Sequence, residues 1–328
     1  MNSIESIMFH GEPAVKAQNG HISVVLVPGW GSNLVSMQLK SRQLELLRVP
    51  GSRGEYEAVP VLYGIPILFP PNRIADGCFE FNGRTYQFEI NEPAEHNHSH
   101  GLVFDKRWEL VRAEEEEGRL ILETEIRSDG NDEILSQFPH LFTIRVRYIV
   151  ERNILTMETT VTNRDASPFP WGLGYHTTFN FPAALDGDIA QCRFSLNAVK
   201  QWVLDGRFLP TGELQNISYA DELMQGKTLI GHALDDAFMA AGSGNNEAVL
   251  TDDSSGIRIV YRCDSYFKHW VVYNDDANQG YLCPEPYTWI TNAPNLSLPP
   301  ELTGFRVLHP GESVTAAAKI MVEERMPR

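Results

Sequence analysis

Basic residues are in short supply in this chain of 328 residues. Its 27 lysines and arginines stand against 43 aspartates and glutamates, a formal net charge of −16. A field of that sign repels phosphodiester backbones and anionic lipid, so nucleic acid and membrane surfaces are not expected partners. Cysteine is sparse as well. Cys78, Cys192, Cys263 and Cys283 are far apart and form no C-x-x-C pair, which leaves no legible disulfide framework. No apolar run approaches the roughly 20 residues that a membrane span needs. The opening MNSIESIMFHG lacks a basic segment followed by an apolar one, so no signal peptide is read and a cytoplasmic location is expected. Helical periodicity is rare, with candidates only around Ser218–Leu223 and near the acidic stretch 112–117. Internal repeats, low-complexity tracts and linkers are also absent, and residues 1–328 read as one domain.

What the chain does have is alternation. Residues 78–90 (CFEFNGRTYQFEI) form two short alternating runs around Asn82-Gly83, a pair suited to a type I′ hairpin turn. Residues 118–127 alternate apolar and polar with period two, and so does 142–162 on either side of a turn at Glu151-Arg152-Asn153. Further strands are expected at His21–Val27, Val35–Leu47, Ile257–Arg262 and Val314–Val322. Strands at regular spacing with turn signals between them predict an all-β fold, a large antiparallel sandwich. Two stretches rich in proline, glycine and aromatics, 163–187 and 281–300, lie between strand-like segments, where functional loops usually sit.

Five clusters carry residue types fit for chemistry on a neutral small molecule. Asn72-Arg73-Ile74 offers a guanidinium fork for a pair of hydroxyls, or a surface arginine that caps a loop. His96, His98 and His100 alternate, so in an extended strand their rings would share one face; a metal site, a single working histidine and a polar loop all fit that spacing. Trp171 to Asn180 places His176 among aromatics, whose faces suit the C–H faces of a pyranose. Asp235 can accept from vicinal hydroxyls, and Glu285 between Pro284 and Pro286 has the rigid backbone that a general base requires.

Taken in order, Asn72-Arg73-Ile74, the hairpin with Gly83-Arg84-Thr85-Tyr86, His100-Gly101, His176-Thr177-Thr178-Phe179-Asn180, Asp235-x-x-Phe238 and Glu285-Pro286 resemble the aldose 1-epimerase (galactose mutarotase-like) family over about residues 70–290. The resemblance implies a supersandwich with a sugar bound on a concave sheet face. It implies that Glu285 acts as general base on the anomeric hydroxyl, His176 as general acid on the ring oxygen, and His100 beside them. Arg73, Asp235, Asn72 and His98 would bind the sugar. It implies an aldose 1-epimerase that interconverts the anomers of a free hexose such as galactose or glucose, as a monomer or homodimer, with no cofactor and no metal. Pro70-Pro71, Leu102 and Thr178 depart from the familiar pattern where Tyr-Ala, glycine and tyrosine are frequent, which marks a divergent branch and bears on which sugar is bound. Two rivals share the fold: a hexose-6-phosphate mutarotase, for which Arg73, Arg84 and Lys106-Arg107 could supply basic groups, and a carbohydrate-binding protein without catalysis.

Overall fold

The computed structural model describes residues 1–184, 186–242, 244 and 246–325. Three antiparallel sheets account for most of the strands among them. The first runs in simple order through Ser3–Phe9, Glu12–Gln18, Ile22–Val27, Asn33–Leu39 and Leu44–Glu45. The second has eight strands, ordered Glu109–Glu116, Arg119–Arg127, Phe142–Glu151, Ile154–Asn163, Ser313–Glu324, Ile257–Cys263, Glu247–Asp252 and Cys192–Leu196. The third is ordered Pro210–Gln215, Ala198–Leu204, Asp235–Ala240, His269–Tyr273, Tyr281–Tyr287, Gly174–Tyr175 and Ile67–Leu68, and Phe179–Asn180 also pairs with Tyr281–Tyr287. One hydrophobic cluster draws on all three, including Val24 and Leu26, Leu122 and Tyr148, and Phe238 and Trp270. Antiparallel sheets that bury one face against a shared core make the all-β sandwich expected from the alternation.

The expected turns hold in detail. Asn82 and Gly83 both take positive φ, +49° and +74°, as a type I′ hairpin requires. The 142–162 run breaks at Arg152, φ +54°. The stretch expected as one strand over 35–47 is interrupted by a turn through Gln43, φ +51°. The short helix expected at 218–223 forms two residues later, at Ala220–Gln225. The acidic stretch 112–117 is no helix: it belongs to the edge strand Glu109–Glu116. Two helices carried too little pattern to be read, Arg53–Ala58 and Asp132–Gln137, each capped by a side-chain oxygen, that of Ser52 and that of Asn131.

Alternation in the third sheet decides where the site lies. Phe238, Trp270, Val272 and Leu282 point into the main core, and burying each aliphatic or phenyl side chain there contributes about 1.5–3 kcal/mol. Their neighbours Asp235, Val271 and Glu285 point out of the opposite face, into a cleft. The strand that carries Glu285 contains two prolines, which have no N–H to give a ladder. Its pairing on one side is accordingly interrupted: Tyr287 pairs with Gly174 and Leu282 with Phe179, with nothing between. That register sets His176 directly across the gap from Glu285. The His176 and Thr178 amides turn the other way, to the carbonyls of Pro66 and Gly64 at 3.0 Å each.

Candidate active site

Six of the seven residues expected from the sequence line one cleft of about 200 Å³: Asn72, Arg73, His100, His176, Asp235 and Glu285, joined by Val59, Val61, Leu62, Val271 and Tyr273. A larger hollow of about 500 Å³ lies near Cys263, Asp264, Lys268 and Glu301. Composition favours the smaller cleft, where two imidazoles, two carboxylates and a guanidinium meet.

The pair at its centre is His176 and Glu285, with Nε2 3.3 Å from Oε1. The other oxygen of Glu285 accepts from the Tyr287 hydroxyl, which in turn accepts from Asn72 Nδ2 at 3.1 Å. Asn72 sits at φ +55°, so its side-chain oxygen folds back onto the Arg73 amide at 2.9 Å while its nitrogen reaches Tyr287. Glu285 is fully buried, and desolvation pushes its carboxyl well above the usual range; the Tyr287 hydroxyl and Arg73 pull it down by less. Burial lowers His176 to about 4.

His100 completes the acid–base cluster. Its backbone is left-handed, φ +70°, and its ring meets that of His176 edge to face, with centroids 5.2 Å apart. Gly101, φ +76°, lets the chain cross Phe69 closely: a Cβ there would lie 2.4 Å from the Phe69 carbonyl. Burial, reinforced by His176 and Arg73, holds His100 well below the ordinary imidazole value.

Arg73 is held in its own plane. Nε donates to both oxygens of Glu92 at 2.9 and 3.0 Å, and Nη2 to Asp235 at 3.5 Å. Burial alone would lower this guanidinium, but Asp235 and Glu92 outweigh it and keep it above the usual arginine value. Asp235 is raised by burial, and Arg73 only partly offsets that. Nη1 has no partner among the described residues, which leaves donors for a ligand.

Three expectations are corrected. His98 does not line the cleft: its Nδ1 lies 2.9 Å from the Glu89 carbonyl and its ring packs edge-on against Phe88. The three alternating histidines do not converge, because the strand covers only Asn97–Ser99 and both His96 (φ +55°) and His100 turn out of it. His96 is exposed and contacts Asp76, and among the described residues no group of three His, Cys, Asp or Glu side chains is placed to hold a metal ion. Trp171 and Tyr175 are core residues, with the Tyr175 hydroxyl 2.6 Å from Thr159; the aromatic side chain on the cleft wall is Tyr273. Sequence reasoning missed Glu92 and Tyr287. Tyr287 was within reach, since residues two apart on a strand share a face with Glu285.

A sequence profile of the aldose 1-epimerase family matches residues 13–320. The chain belongs to the aldose 1-epimerase family. Among solved structures, a galactose mutarotase-like protein from Clostridium acetobutylicum superposes with a TM-score of 0.93 at 28% identity, over 98% of this chain and 99% of that one. A galactose 1-epimerase from Lactobacillus acidophilus shares the fold, with a TM-score of 0.77 at 15% identity over 99% of both chains. The uncharacterized protein YihR of Escherichia coli is 24% identical over 292 residues, 86% of this chain and 85% of YihR. No helix among the described residues is long and apolar enough to cross a membrane.

Proposed function

We propose that this protein is an aldose 1-epimerase that interconverts the α and β anomers of a free aldose. The observation that carries the reading is the His176–Glu285 pair, set face to face at 3.3 Å across a gap in the sheet at the floor of a polar cleft. Anomer exchange needs a proton taken from the anomeric hydroxyl and one given to the ring oxygen, two oxygens on the same carbon. Convergent acid and base groups suit that geometry, and positioned groups of this kind contribute about 10²–10⁴-fold each.

Glu285 takes the hydroxyl proton and His176 protonates the ring oxygen. The C–O bond breaks, the aldehyde rotates, and closure on its other face returns both protons. Burial favours the neutral pair, one proton on Glu285 and none on Nε2 of His176, and a single transfer across the contact converts it into the reactive carboxylate–imidazolium form. The pair therefore acts while it holds one shared proton. Arg73 Nη1 and Asp235 bind sugar hydroxyls, and His100 packs beside the imidazole.

A free sugar is favoured over a phosphorylated one. Of the basic groups considered for a phosphate, Arg73 alone lines the cleft. Lys106 is engaged with Asp105 and Glu133, Arg107 with Glu12, and Arg84 with the Pro139 carbonyl. The test is polarimetry on freshly dissolved α-galactose, α-glucose and α-glucose 6-phosphate. Faster relaxation of a free sugar than in buffer, lost in Glu285→Gln, supports the reading. Acceleration of the phosphate alone would overturn it.

A further inference from the structure

Between the strands Ala198–Leu204 and Pro210–Gln215 the chain turns through residues 205–209. Asp205 builds the turn: its carboxylate accepts the amides of Arg207 at 2.8 Å and Leu209 at 3.0 Å. At the tip, Phe208 has φ +59° and is 38% exposed. A left-handed backbone is an outlier for so bulky a residue, and an exposed phenyl adds nothing to a core.

The tip is fastened all the same. Arg207 reaches over to the segment that leads into His100, donating to the carbonyls of Glu95 and His96 at 2.7 Å each, to Asn97 Oδ1 at 3.1 Å and to Asp76 at 3.0 Å. Asn97 Nδ2 returns a bond to the Arg207 carbonyl at 3.1 Å. The outcome is a phenyl ring with the guanidinium carbon of Arg73 over its face, 4.8 Å from the centroid. Glu92 takes Nε of that guanidinium and Asp235 takes Nη2, which leaves Nη1 without a partner among the described residues.

We infer that Phe208 is a substrate-contacting residue: an aldopyranose whose hydroxyls take the Nη1 edge of Arg73 rests its C–H face on the Phe208 ring. The inference builds on the sugar-site reading above. It adds a second aromatic face to that of Tyr273 where Trp171 and Tyr175 are buried, and it gives Arg207 a positioning role, since the four bonds it donates hold the strained tip in place. Aromatic rings favour such partners because their negative faces meet the weakly positive C–H groups.

The experiment measures KM and kcat for mutarotation of galactose and glucose, and in parallel the calorimetric Kd of both sugars for Glu285→Gln protein, each with and without a change at Phe208. Phe208→Ala should raise KM and Kd about tenfold and change kcat less than about threefold. Phe208→Tyr should behave like the wild type, and Phe208→Leu, which keeps bulk at the tip, should fall between. Arg207→Ala should raise KM in the same direction. Unchanged KM and Kd in Phe208→Ala, or a loss confined to kcat, would overturn the inference and leave the ring as a brace for Arg73 alone. If neither sugar relaxes faster with wild type, yet Kd still depends on Phe208, the proposed epimerase function fails and this contact stands. Absence of binding by either sugar sinks both.

Discussion

His176 lies 3.3 Å from Glu285, and His140 lies 3.3 Å from Asp165. A tyrosine hydroxyl completes each trio, Tyr287 on Glu285 and Tyr86 on His140 at 2.7 Å. Residue types and separation match, but the electrostatics do not. Burial would raise Asp165, yet the amides of Leu141 and Ser167 and the Ser167 hydroxyl outweigh it and hold the carboxylate below its usual value. Among the described residues Glu285 accepts one hydrogen bond, from Tyr287, so burial wins and holds its carboxyl well above the usual range. His140 is also lowered by burial, and it is wedged between Phe138 and Phe169 with ring centroids at 4.9 and 5.1 Å. Donors around the carboxylate, more than the histidine–carboxylate distance, decide where a proton sits.

The contrast is best broken by mutation. Glu285→Gln keeps the shape and removes the base, and polarimetry should show mutarotation falling by about 10²–10⁴-fold. His140→Ala should leave the rate per folded molecule intact. Asp165→Ala should also spare the rate but cost about 1–3 kcal/mol of stability in denaturant titrations, because the Leu141 and Ser167 donors lose their acceptor. A rate collapse in His140→Ala would show that the two trios are not separate.

Proton sharing predicts the shape of the pH profile. Independent groups at ordinary values would lose activity as a free imidazole titrates near 6.5. A shared proton leaves only when the raised Glu285 carboxyl gives it up, so the alkaline limb of kcat/KM should follow Glu285 and not a free imidazole. A midpoint at the ordinary histidine value would refute the account. Tyr287→Phe takes away the hydroxyl that lowers Glu285, and should move that limb higher still.

Stability sharpens the picture with the smallest effect. His176 is depressed from 6.5 to about 4 in the folded protein, so its contribution is present above 6.5 and lost as pH falls toward 4. That contribution to the unfolding free energy should therefore decline over that window. Measured against the wild type, His176→Asn should lose less unfolding free energy, or gain more, as pH falls from 6.5 toward 4. An unchanged slope would mean that His176 does not titrate there.

Much of this architecture was legible where one face of a strand is wet and the other dry. Residues 119–127 and 142–163 carry that alternation in their letters. Glu109–Glu116 does not, since an edge strand with little burial on either face has no apolar period to show, and its glutamates read equally well as a helix. Arg73, His176 and Glu285 could be named through family likeness, but their convergence rests on sheet register between segments more than a hundred residues apart. His98 was misplaced because positive φ at His96 and His100 ends the strand on both sides, and a histidine or asparagine in that conformation leaves no mark in the sequence. Phe208 gave no signal either: a lone phenylalanine ahead of Leu-Pro-Thr-Gly reads as an ordinary hairpin residue.

The alternation of Tyr281–Tyr287 also constrains how this lineage can change. One residue inserted or deleted within that strand would exchange its two faces, sending Glu285 into the greasy interior and a proline or Leu282 into the cleft. Such length variants are lost at once, whereas substitutions there can be sampled one at a time. Descendants of a common ancestor must therefore keep the spacing of this strand fixed and gain or lose length in its connections, such as the turn at 274–280.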